Sequence, residues 1–112
     1  MNWQNRGRWP HFSPAEVGQP CSSLLLDALE RLRGGLGNHP IPIISGRRTV
    51  RRNAAVGGVV DSQHLTGRAV DIPVGLVVVE AAILAGFTGV GDVDGYAVHV
   101  DVRPGPCVRW TY

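Results

Sequence analysis

Tyr96-Ala97-Val98-His99-Val100-Asp101-Val102-Arg103 alternates apolar and polar side chains at period two, the pattern of a β-strand whose two faces meet different surroundings. Val98, Val100 and Val102 fall on one face, suited to a core. His99, Asp101 and Arg103 fall on the other, as expected of a strand that borders a polar cleft. The rest of the chain is read outward from this strand.

Towards the N-terminus, Leu76 to Leu84 is strongly apolar and stops at Gly86, which suits a buried helix, although its valine-rich start also permits a strand. Arg68 to Val74 (RAVDIPV) alternates enough to be a second strand. Arg47 to Gln63 is polar and is expected to hold a short helix and an ordered loop. Ile41-Pro42-Ile43-Ile44 reads as a short strand with a proline at its start. Ser22 or Ser23 can cap a helix over Leu24 to Arg33, ended by Gly34 and Gly35. Within it Leu25, Leu29 and Leu32 form an apolar stripe that must pack on a sheet or another helix, while Asp27, Glu30 and Arg31 can stay in water.

The chain has 112 residues, the size of one ordinary domain, and a single domain over 1–112 is expected. With 44% hydrophobic and 18% charged residues it is globular in composition, and 15 glycines and 8 prolines call for many turns. A formal charge of +2 excludes a polycation made to coat nucleic acid. The basic run Arg47, Arg48, Arg51 and Arg52 has no interleaved aromatic residue, so a solvated turn or a substrate carboxylate accounts for it better than a nucleic acid does. Cys21 and Cys107 lack the short spacing of a zinc ribbon and are two free thiols or one bridge. No secretory leader is visible at the N-terminus. The longest apolar stretch, Leu76 to Phe87, is too short for a bilayer, which needs roughly 20 residues. No membrane partner is expected, and a monomer is.

Two of the four histidines stand in company that suggests chemistry. His11 and His39 each adjoin a proline in loop-like sequence and take a structural or surface reading. His64 and Asp71 are separated by Gly67 and the small Ala69. They can converge if the chain leaves a loop at His64, turns at Gly67 and enters a strand presenting Asp71, with His99 supplied by a neighbouring strand. Two neutral imidazoles and one carboxylate leave the fourth tetrahedral position of Zn²⁺ open for water, the arrangement of a catalytic site. Such a site needs no protein nucleophile, and no convincing Ser-His-Asp set is present.

The order Ser45-Gly46-Arg47-Arg48-Thr49, Asn53, Gly57-Gly58, Ser62-x-His64-x-x-Gly67-x-Ala69-x-Asp71 and His99-Val100-Asp101-Val102-Arg103 resembles the zinc D-Ala-D-Ala carboxypeptidases and L-Ala-D-Glu endopeptidases of bacteria and phages. His11-Phe12-Ser13-Pro14-x-Glu16 resembles the opening of such domains. The resemblance implies an α+β fold of the hedgehog and D-Ala-D-Ala-peptidase type, a small antiparallel sheet with helices packed on one side. It implies zinc held by His64, Asp71 and His99, a substrate-gripping Arg48, and Ser62 beside the substrate or a ligand. The substrate would be a peptidoglycan peptide, cut by an enzyme that stays in the cytoplasm until release and then acts at the wall, as a phage lysis or tail protein does.

Several relatives carry an acid three residues before the last histidine, where this chain has Tyr96. Asp101, Asp94 and Asp92 are then the candidates for a general base. Asp101 is preferred, either acting on the attacking water or holding a metal ligand from behind. A zinc-bound module without turnover is the alternative that Tyr96 permits.

Overall fold

A computed structural model describes residues 9–12, 17, 22–44 and 67–112. Ser62 and His64, with Arg47, Arg48 and the loop expected around them, lie outside these residues, as does Cys21. Among the described residues the order is α1 (Ser23–Gly35), β1 (Ala69–Asp71), α2 (Val79–Leu84), β2 (Gly89–Val93), β3 (Tyr96–Asp101) and β4 (Val108–Thr111). The four strands form one sheet in the order β1-β3-β2-β4.

Helix α1 begins where the sequence places it, because the Ser22 Oγ accepts the Leu24 N–H at 3.2 Å and so satisfies one of the open donors of the first turn. Its buried face is wider than the expected stripe, since Leu26 and Ala28 join Leu25, Leu29 and Leu32. A helix that packs against more than one neighbour, here including α2, buries such a broad face. Burial of each leucine stabilises the fold by roughly 1.5–3 kcal/mol before chain entropy is counted. Asp27 and Glu30 do more than face water. Asp27 accepts the Trp9 Nε1–H at 2.9 Å, and Glu30 takes the His11 backbone N–H at 2.9 Å and pairs with its ring Nδ1 at 2.7 Å. His11 therefore pins the N-terminal arm to α1, in line with its structural reading, and His39 stays exposed beside the Pro40 carbonyl.

The segment before α2 resolves the ambiguity of Leu76 to Leu84. Val78 forms a bridge with Tyr96, and the Val77 carbonyl accepts the Ala97 N–H at 2.7 Å, so the β-branched start is extended. The helix starts only at Val79. It buries Val79 and Ala82 and leaves Leu84 exposed, so it is a surface helix and not a wholly buried one.

The sheet is mixed, which corrects the antiparallel expectation. Strands β1, β3 and β2 pair antiparallel, but β4 pairs parallel to β2. The Pro104-Gly105-Pro106 turn reverses the chain after β3, so the last strand runs with β2 and not against it. Strand β1 is shorter than RAVDIPV suggested, and Ile41 to Ile44 is not a strand. Pro42 has no N–H to give, and the contact made to β1 is the Ile44 N–H on the Asp71 carbonyl at 2.9 Å. Val70, Val100 and Val90 lie in register and enter the core with α1 and α2, so both helices cover one face. The opposite face carries the site.

Candidate metal centre

One row of the sheet, read across β1, β3, β2 and β4, is Asp71, His99, Gly91 and Trp110; the next is Ala69, Asp101, Gly89 and Val108. Because neighbours in a row project from the same face, strand register alone brings Asp71 and His99 together across 28 residues of chain. Gly67 makes this possible from the other end. Its φ of 71° turns the chain into β1, and its carbonyl receives the Ser22 N–H at 2.9 Å.

His99 is 8% exposed and is gripped at both nitrogens. Its Nε2 lies 2.8 Å from Asp101 Oδ2, and its Nδ1 lies 3.2 Å from Asp71 Oδ1. In the neutral ring the Nε2–H donates to Asp101, which leaves an Nδ1 lone pair facing a carboxylate oxygen. Two acceptors in that position require a cation between them, either a proton or a metal ion. Two ligand atoms each 2.0–2.1 Å from a tetrahedral zinc stand about 3.3 Å apart, so the observed spacing fits the metal. The same arrangement acts on the proton. Burial, the largest influence, opposes charging of the ring, but Asp101 and Asp71 together outweigh it and hold the His99 pKa above its ordinary value. Among the described residues no group of three metal-ligating side chains is found, His64 being outside them.

Asp101 is fully buried and saturated. Its Oδ1 accepts the Arg103 backbone N–H at 3.2 Å and Nε–H at 2.9 Å. Its Oδ2 accepts Arg103 Nη2 at 2.6 Å as well as His99 Nε2. Four hydrogen bonds match the acceptor capacity of a carboxylate. Burial by itself would raise its pKa, but the Arg103 fork and His99 hold it well below the carboxylate range. The other base candidates stand elsewhere. Asp92 is paired with Arg109 at 3.0 Å, and the Thr111 hydroxyl and Arg109 lower its pKa. Asp94 is exposed, with φ 53°, in the turn it forms with Gly95 between β2 and β3.

Three participants escaped the sequence reading. Gly89 is one: a Cβ there would stand 2.5 Å from Asp101 Cγ. Gly91 is another, since a Cβ there would stand 2.6 Å from Trp110 Nε1 and 2.7 Å from Tyr112 Cε2. Strand β2 is therefore a glycine floor under the polar cluster, and the spacing Gly89-Val90-Gly91 was its available signal. Trp110 is the third, with its ring centroid 5.2 Å from that of His99.

Comparison with known proteins places the chain in a family. The model of the peptidase M15 family matches residues 8–101, and the chain belongs to that family. A zinc D-Ala-D-Ala carboxypeptidase of Streptomyces albus G is 35% identical over 77 residues, which are 65% of this chain and 30% of the relative. The chain thus spans less than a third of that protein.

Proposed function

We propose that the chain is a zinc-dependent peptidase that hydrolyses an amide bond in peptidoglycan stem peptides, of the D-Ala-D-Ala carboxypeptidase or endopeptidase type. The observation that carries this reading is the pair of facing acceptors, Asp71 Oδ1 and His99 Nδ1, spaced as two ligands of one tetrahedral ion. Membership of a peptidase family supports the chemistry, and the order of the motifs supports the hedgehog-type fold. His64 completes the ligand set in this reading.

When bound, zinc supplies an activated water and a Lewis acid for the scissile carbonyl. Every other task falls to the chain. Asp101 accepts the Nε2–H of His99, which fixes the ring tautomer and leaves the Nδ1 lone pair for the metal. Arg103 neutralises Asp101 and holds it in place through a two-pronged contact. A carboxylate with four donors already bound is a poor acceptor for a further proton, so Asp101 takes the holding role in preference to that of general base. Arg48 grips a substrate carboxylate and Ser62 lies beside it. Action at the cell wall, in a phage or a bacterium, belongs to the same reading.

The protein purified with zinc is expected to release peptide fragments from muropeptides, detected by mass spectrometry. Chelator, His64→Ala and His99→Ala each abolish that release. Undiminished cleavage by fully metal-stripped protein would sink the proposal. The second reading, a zinc-bound module without turnover, is favoured by Tyr96 in place of an acid and by the saturation of Asp101. Zinc and wall-peptide binding with no cleavage product would select it.

A further inference from the structure

Strand β4 lies beyond the residues matched by the family model, yet it meets the site directly. Trp110 stands in the same row as Asp71 and His99, but β2 runs between its strand and that of His99. Two strand spacings, about 9–10 Å, separate the backbones of β4 and β3. The indole spans them by lying over Gly91. Glycine keeps that seat open, because any Cβ at position 91 would overlap the indole and the Tyr112 ring. The indole ring meets the imidazole of His99 at 5.2 Å and 51°, the Arg103 guanidinium lies 5.0 Å from its centroid, and Tyr112 packs edge-on against it at 6.3 Å.

The indole therefore touches both residues that Asp101 bonds, His99 and Arg103. The contacts at Nε2 and Nδ1 constrain the imidazole within its own plane, but they resist tilting out of that plane weakly. An aromatic ring packed at a tilted angle, as Trp110 is here, resists that tilting. Arg103 is restrained in the same way, since its fork holds Asp101 while its π-face contact holds the fork.

We infer that Trp110 is a positioning residue of the metal centre, seated over Gly91 so as to fix the imidazole of His99 with Nδ1 towards Asp71. The inference rests on the metal-binding reading for its consequence, but the fixing of the ring is a property of the protein without metal. It follows that Trp110→Ala and Gly91→Ala impair the same thing by opposite means, one removing the indole and the other pushing it off its seat. Trp110→Phe keeps an aromatic face and restores most of the effect.

Two measurements on the full chain decide the matter. In the first, zinc affinity is obtained by competition with a chromophoric chelator. Trp110→Ala and Gly91→Ala are expected to weaken it by roughly tenfold or more, the range of lost support behind a metal ligand, and Trp110→Phe by much less. In the second, the His99 Nε2–H proton of the metal-free protein is followed by NMR. It is expected to be slow to exchange in the parent and in Trp110→Phe, and fast in Trp110→Ala and Gly91→Ala. A folded Trp110→Ala protein with parental zinc affinity and an unchanged Nε2–H resonance overturns the inference. Should Trp110→Ala fail to fold, the contrast between Trp110→Phe and Gly91→Ala decides by the same two readouts. A parent chain that binds no zinc would overturn the metal reading alone, and the imidazole proton would still decide the role of Trp110.

Discussion

At the scale of single residues, the site depends on which nitrogen of His99 carries its proton. Asp101 makes that choice: both flanking carboxylates can only accept, but its contact is the shorter and the more buried of the two, 2.8 Å against 3.2 Å, and so draws the hydrogen to Nε2. Asp101→Asn should undo it. The amide can turn its NH₂ towards Nε2, which moves the ring proton to Nδ1 and points a donor at the metal position. Zinc affinity is expected to fall about 10–100-fold, with the fold retained, as measured by chelator competition beside a circular-dichroism melt. Unchanged affinity in a folded Asp101→Asn protein would remove Asp101 from the role proposed. His99, Asp101 and Arg103 were visible in the sequence as one face of a strand. The grip of Arg103 on Asp101 was not, since side chains two apart on a strand seldom bond unless burial forces them to.

At the scale of elements, β2 serves the site by what it lacks. Gly89 and Gly91 leave the site face of this strand bare, and Asp101 and Trp110 occupy the space from either side. Glycine normally weakens a strand. Here a side chain would weaken it more. Gly89→Ala sets a methyl group against the Asp101 carboxylate and is expected to destabilise the protein by about 1–3 kcal/mol while also lowering zinc affinity, read by thermal melts with and without the metal. A melt indistinguishable from that of the parent would mean that β2 gives way more easily than its register implies. The hairpin that sets this register was legible too: Asp94-Gly95, both with positive φ, is a two-residue turn of the kind that joins twisted antiparallel strands.

At the scale of the whole molecule, proton and metal compete for one position, and stability should record the contest. The pKa of His99 is raised in the folded protein. Its contribution is therefore fully present below the ordinary value of 6.5 and is lost as pH rises through the folded value. The metal-free protein is expected to melt at lower temperature as pH increases across that range. Zinc needs the unprotonated ring, so the rise in melting temperature that zinc produces should grow with pH over the same interval. Parallel slopes with and without zinc, measured in one series of buffers, would contradict a shared position.

Local pattern alone determined helix α1 with its serine cap, the existence of β3 and the shared face of His99 and Asp101, because each rests on neighbours within a few positions. The candidacy of Asp71 and His99 came from the order of motifs along the whole chain, and the entry of Ala97 in place of Val98 into the core followed from the register shift at Gly91 and Asp92. The direction and place of β4, the short reach of β1 and the conversion of Ile41 to Ile44 into a plain extended segment depended on hydrogen-bond partners distant in the chain, which periodicity does not encode. Trp110 is the clearest case. Nothing near it in the sequence sets it apart; only the parallel pairing of β4 with β2, and the absence of a side chain at Gly91, bring its ring to His99.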